Sequence, residues 1–119
     1  MIKKIAGYVA NQKDFSEKAF LSAIYCLGDS LGCAILALQY QACTKLLGPL
    51  VPGTRVPNGC HIPGTSYILD PITGAFTLGS MIRWLDFNDT WLGAEWAHPS
   101  DCIGALLPLC DYLSRKNIS

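Results

Sequence analysis

DFSEKAFLSAIYCLGDSLGCAILALQ, residues 14–39, is apolar on almost every side, and its reading decides the fold. Asp14 followed three residues later by Glu17 has the form of a capping box, in which each side chain accepts from an orphan amide, so a long helix is expected to begin there and run to about Gln39. Phe20, Ile24, Leu27, Leu31, Ile35 and Leu38 fall on one face of that helix, and Leu21, Tyr25, Gly28, Gly32 and Leu36 leave little polar surface elsewhere. A run of this length could span a membrane. Asp29 and Ser30 sit at its middle, however, where an aspartate costs on the order of 3 kcal/mol to insert, so a helix buried within a larger protein is the expectation and no membrane partner is assigned. Gly28 and Gly32, four apart, would let another helix approach closely.

The rest of the chain is consistent with an all-α domain of about five helices interrupted by one long Pro/Gly-rich loop or short hairpin. Ile2, Ile5, Tyr8 and Val9 have helical spacing, which predicts a short amphipathic helix at the start. Residues 48–64, GPLVPGTRVPNGCHIPG, hold four of the seven prolines and four of the eleven glycines, which is turn chemistry. Pieces around Arg55–Val56 and Cys60–Ile62 are expected to pair across Pro57-Asn58-Gly59. Long loops inside compact domains are usually functional or packed against something further. Asp70-Pro71 has the form of an N-cap followed by proline at the first helical position, and the helix is expected to carry Leu78, Ile82 and Leu85 on one face and continue through Asp86 to Thr90. A last helix should start near Ser100 or Asp101 and run to Lys116, kinked at Pro108.

The composition bounds the function. With 119 residues one core is feasible, but only 15% of them are charged against roughly 25% in an ordinary soluble domain, so something further must cover the apolar surface. The net charge is zero and no basic stripe is interleaved with aromatics, which sets nucleic acid aside. Six cysteines could form a disulfide framework only in a secreted chain. The apolar run after Lys3-Lys4 is cut off by Asn11, Gln12, Lys13 and Asp14 before it resembles a leader, so reduced thiols and a cytoplasmic location are expected. No CxxC pair occurs and Cys60 beside His61 does not close a tetrahedral site, so no metal and no cofactor are assigned.

The ionisable groups concentrate in RWLDFNDTWLGAEWAHPSD, residues 83–101. On a continuing helix Asp86 and Thr90 would share one face, in line with Ile82 and Leu78. Asp86 could instead bond Arg83 on the next turn, and Asp89 could cap the chain as it leaves the helix. His98 precedes a helix start, where unpaired amides and the positive end of the helix dipole would disfavour imidazolium and welcome the carboxylates of an organic acid. A calcium loop beginning at Asp86 is excluded, because its sixth position is Trp91 where glycine is required and its twelfth is Ala97 where a glutamate is required.

TKLLGPLVPGTRVPNGCHIPGT (44–65), LDP (69–71), GAFTLGSMIRWLDFNDTWLGAEWAHPSD (74–101) and DYLSR (111–115) together resemble the N-terminal part of enzymes of the MmgE/PrpD family, over about residues 4–116. The resemblance implies a share of a larger helical domain, with a second, α+β domain encoded by later sequence that is absent from these 119 residues. It implies a hydro-lyase of propionate catabolism, removing water from 2-methylcitrate to give 2-methyl-cis-aconitate in the methylcitrate cycle, without an iron–sulfur cluster. The related cis-aconitate decarboxylases are the alternative branch, and a non-enzymatic helical interaction protein is a further one. By resemblance Asp86, Thr90 and His98 belong to the active site. His98 and Asp86 are expected to be catalytic, His98 in proton transfer, while Thr90 and Asp89 contact substrate. The partner is then a small tricarboxylate. Two extra residues between Thr90 and His98, relative to the decarboxylases, favour the dehydratase branch. The family's further catalytic lysine, histidine and tyrosine positions lie beyond Ser119, so the chain alone is expected to be inactive and to self-associate or pair with the C-terminal part.

Overall fold

The computed structural model describes residues 1–116. Five helices dominate them: α1 (Ile2–Asn11), α2 (Glu17–Ala37), the single-turn α3 (Gln41–Thr44), α4 (Pro71–Arg83) and α5 (Asp101–Arg115). Two antiparallel hairpins of two-residue strands accompany them, β1 (Cys60–His61) with β2 (Ile68–Leu69), and β3 (Trp91–Leu92) with β4 (Trp96–Ala97). The all-α expectation therefore holds, with the loop tied down by β1 and β2.

The start of α2 differs in one detail. Ser16, not Asp14, is the N-cap, and its hydroxyl accepts from Ala19 N at 3.2 Å. Asp14 lies two residues before that cap, with the Ala19 amide five positions ahead, whereas a capping side chain reaches an amide two or three positions ahead. Of the bulky stripe on α2, whose burial is expected within a larger protein, only Leu38 packs against the core of the described residues. Ser30, Cys33, Ala34 and Ala37 face the core, and Phe20, Ile24 and Ile35 stay exposed. Small side chains let α2 lie close against α4, while most of the bulky stripe finds no counterpart among the described residues. Buried Ser30 satisfies its hydroxyl within the helix by donating to Cys26 O at 2.6 Å. By length and composition α2 could cross a membrane, but its C-terminal half packs against the core instead.

α4 and α5 form the centre of the fold. Asp70 caps α4 by accepting from the amides of Ile72 and Thr73, both at 3.0 Å, and hydrogen bonding to Thr73 holds its carboxyl below the usual carboxylate range. Leu78, Met81 and Ile82 are buried from α4, together with Ile62 and Leu69 from the loop and hairpin, and Ile103 and Leu107 of α5 pack against them. The helices touch backbone to backbone, because a Cβ added at Gly104 would come within 2.7 Å of Gly79 Cα. The close approach expected at Gly28 and Gly32 is absent here, since a Cβ at either would meet nothing within 4 Å. α5 continues through Pro108, whose ring is buried and lies over Gly74.

The hairpin also takes a different partner from the one expected. β1 pairs with β2, Cys60 opposite Leu69 and His61 opposite Ile68, and Arg55–Val56 contributes only the Val56 amide bonded to Ile68 O at 3.0 Å. Burial explains the choice: Cys60, Ile62 and Leu69 all face the core, whereas exposed Arg55 has no apolar side to offer.

A candidate active site at the start of the last helix

The polar corner forms where α4 stops. Asp86 adopts φ 57°, a left-handed conformation that aspartate tolerates better than most residues, and its amide bonds back to Arg83 O at 3.1 Å. The helix therefore ends at Arg83, and the expectation that Asp86 and Thr90 share one helical face is overturned. Asp86 is exposed, and its carboxylate pairs with Arg83 Nη1 at 2.7 Å rather than meeting His98.

Arg83 fastens the corner together. The same Nη1 donates to Asn88 Oδ1 at 2.6 Å, and its Nε lies 3.5 Å from Asp101 Oδ1. Asn88 is buried, and its amide nitrogen donates to Ser100 Oγ at 2.7 Å and to Asp101 Oδ1 at 3.3 Å. Asp89 Oδ1 accepts from Ser100 N at 3.1 Å, so Asp89 caps α5 from twelve positions before its first residue. Asn88 was missed in the sequence. Its only signal there is its place between Asp86 and Asp89, and the partners that bury it are twelve and thirteen residues away.

Thr90 and His98 are brought together by the second hairpin. Trp91 pairs with Ala97, so the residues just outside the pair face one another across its open end. Thr90 Oγ1 lies 3.4 Å from His98 Nδ1, and Nδ1 is 2.7 Å from the Asp89 carbonyl oxygen. A carbonyl only accepts, so Nδ1 carries a proton, and in the neutral ring the lone pair is left on Nε2. The Trp96 indole stands edge-on to the imidazole with centroids 5.3 Å apart and limits its rotation.

The amides at the start of α5 are all spent. Ser100 N goes to Asp89, Asp101 N to His98 O, Cys102 N to Pro99 O and Ile103 N to Ser100 O. The expected open anion site at this helix end is therefore closed, with carboxylates of Asp89 and Asp101 already at the positive end of the dipole. One arginine stands among three aspartates, so the corner is itself net acidic.

Beside the corner runs a cleft of about 560 Å³ between α2 and α5, lined by Cys26, Leu27, Cys102, Ile103 and Leu106, with Asp89 and Pro99 at its polar end. Burial chiefly, and then the Asp89 carboxylate, push the Cys26 thiol up. All six cysteines are free thiols. Among the described residues no group of three or more His, Cys, Asp or Glu side chains is placed to hold a metal ion.

Residues 3–119 match the family model of the MmgE/PrpD N-terminal domain. The chain is 57% identical over 118 residues to a 2-methylcitrate dehydratase of Salmonella typhimurium, covering 99% of this chain and 24% of the relative. It is 56% identical over 115 residues to the enzyme of the same name from Cupriavidus necator, covering 97% of this chain and 24% of the relative. A mitochondrial 2-methylcitrate dehydratase of Yarrowia lipolytica is 50% identical over 116 residues, covering 98% of this chain and 22% of the relative. The chain thus spans about a quarter of the length of these curated relatives. With a family match that runs from residue 3 to the last residue, through the capped corner and both hairpins, the chain belongs to the MmgE/PrpD family, as its N-terminal domain sequence.

Proposed function

We propose that this chain supplies the N-terminal part of a 2-methylcitrate dehydratase, a hydro-lyase that takes 2-methylcitrate to 2-methyl-cis-aconitate and water. The carrying observation is the identity of 56–57% to bacterial enzymes of that name over nearly all of these residues. Elimination of water needs a base for the C–H proton and an acid for the departing hydroxyl. His98 is the proton-transfer group, acting through Nε2, since its Nδ1 proton is held by the Asp89 carbonyl. Thr90, within reach of the same imidazole, hydrogen-bonds substrate. Asp89 has Oδ1 committed to Ser100, and its second oxygen accepts from the substrate hydroxyl at the polar end of the cleft. Asp86 touches neither His98 nor the cleft and works as a positioning residue, holding Arg83 and through it Asn88 and Asp101.

The corner is acidic and the substrate carries three carboxylates, so the counter-charges come from outside this segment. The isolated chain is therefore inactive, and the exposed stripe of Phe20, Ile24 and Ile35 on α2 pairs with further polypeptide or with another copy. Six free thiols fit a reducing compartment, the cytoplasm for a bacterial enzyme, while the Yarrowia relative is named as mitochondrial. The test is a fusion in which this chain replaces the first quarter of the Salmonella typhimurium relative. Dehydration of 2-methylcitrate by the fusion, with none by the isolated chain, is expected. A stable fusion that turns over only cis-aconitate, by decarboxylation, would move the assignment to the other branch, and turnover by the isolated chain would refute the claim of incompleteness.

A further inference from the structure

A second polar pocket lies at the opposite end of α5, about 21 Å along the helix axis from Asp101. Its volume is about 490 Å³, and it is lined by Arg55, Val56, Asn58, His61, Ile68 and Arg115 among others. Both arginines are presented by built structure. Arg115 Nε donates to both oxygens of Asp111, at 3.1 and 3.0 Å, and Asp111 Oδ2 also accepts from His61 N at 2.7 Å, which fastens α5 to β1. The guanidinium is thereby oriented through Nε, while among the described residues no hydrogen bond or ion pair engages its Nη groups, which remain as donors. Arg55 stands on a loop held by Val56 N to Ile68 O and Gly59 N to Val56 O, with Asn58 at φ 56° closing the turn. Asp111, among the described residues the one carboxylate tied to these groups, does not line the pocket.

We propose that this pocket binds a small anion carrying carboxylate or phosphate groups, clamped between the Arg55 and Arg115 guanidiniums with the His61 imidazole beside it. Guanidinium forks match both anion types in two-pronged geometry. The C-terminal end of α5 carries the negative pole of its dipole and works against an anion there, so the two arginines must act together. This site shares no residue with the His98 corner and does not depend on its role.

The test is calorimetric titration of the 119-residue chain at low salt with citrate and, separately, inorganic phosphate. Saturable one-site binding of either probe is expected, weakened about tenfold or more by Arg55→Ala and by Arg115→Lys, as for loss of a charge-assisted bond, and unchanged by His98→Ala. Citrate alone, phosphate alone or both support the site and differ only in the anion geometry it takes. Arg55 is exposed on the loop, so R55A is expected to melt with the parent chain, which separates lost binding from lost folding. Absence of saturable heat with both probes, binding that survives R55A, or binding that disappears in H98A overturns the proposal.

Discussion

Asn88→Ala is the perturbation that most directly probes the corner. The side chain is 3% exposed, donates to Ser100 and Asp101 and accepts from Arg83. Truncation strands the fully buried Ser100 hydroxyl, which costs about 1–3 kcal/mol for an unsatisfied group. The bonds to Arg83 and Asp101 add about 1 kcal/mol together after discounting for solvent, because both charged partners are a third or more exposed. The total is about 2–4 kcal/mol. For a chain of 119 residues, the usual unfolding entropy converts 1 kcal/mol into roughly 4 °C, so Tm should fall by roughly 8–16 °C. Thermal and urea unfolding followed by far-ultraviolet circular dichroism measures this, with Asp86→Ala as the control. That aspartate is 73% exposed and its ion pair should contribute no more than about 0.5 kcal/mol. An N88A melt within a degree or two of the parent, or a D86A as costly as N88A, would show that the corner is not organised around Asn88.

Gly104→Ala should destabilise by about 1–3 kcal/mol by forcing α4 and α5 apart, whereas Gly28→Ala, with open space around it, should stabilise by up to about 1 kcal/mol, both read from urea midpoints. Asp70→Ala should cost about 1 kcal/mol at neutral pH through loss of the α4 cap. The folded carboxyls of Asp70, hydrogen-bonded to Thr73, and Asp111, hydrogen-bonded to Arg115, are both lowered. Their stabilisation is therefore present above the unfolded value of about 3.9 and lost as pH falls through the lowered folded values, so D70A should converge on the parent in acid. Unfolding free energies that keep a constant gap between D70A and parent from neutral pH to below pH 3 would contradict this. Sedimentation of the isolated chain should reveal self-association through the α2 stripe, and a strictly monomeric chain at micromolar concentration would remove that reading.

What the sequence disclosed follows the range of the interactions involved. The start of α4 was legible at Asp70-Pro71 because its cap is settled within three residues, and that of α5 from His98-Pro99 just ahead of it, although its capping carboxylate, Asp89, stands twelve positions before Asp101. The end of α4 was hidden, since Leu78, Ile82 and Leu85 keep helical spacing up to the residue before the left-handed Asp86. Which glycines make a close contact, Gly79 and Gly104 rather than Gly28 and Gly32, depends on which helices meet, and four-residue spacing within one helix carries no such information. Thr90 and His98 were named from resemblance to the family, but their meeting across a hairpin, and the burial of Asn88 beneath it, rest on partners eight to thirteen residues distant. The bulky stripe of α2 was legible as apolar, and the larger protein expected to bury it is represented here by too little sequence to do so, since among the described residues Phe20, Ile24 and Ile35 stay exposed.

The most direct measurement is the pH dependence of kcat and KM for His98→Ala in the active fusion with the longer relative. A proton-transfer role acting through Nε2 requires kcat to fall by about 10²–10⁴-fold with KM little changed, and one limb of the pH profile to disappear. Turnover within a few-fold of the unsubstituted fusion, with the same pH profile, would contradict that role for His98.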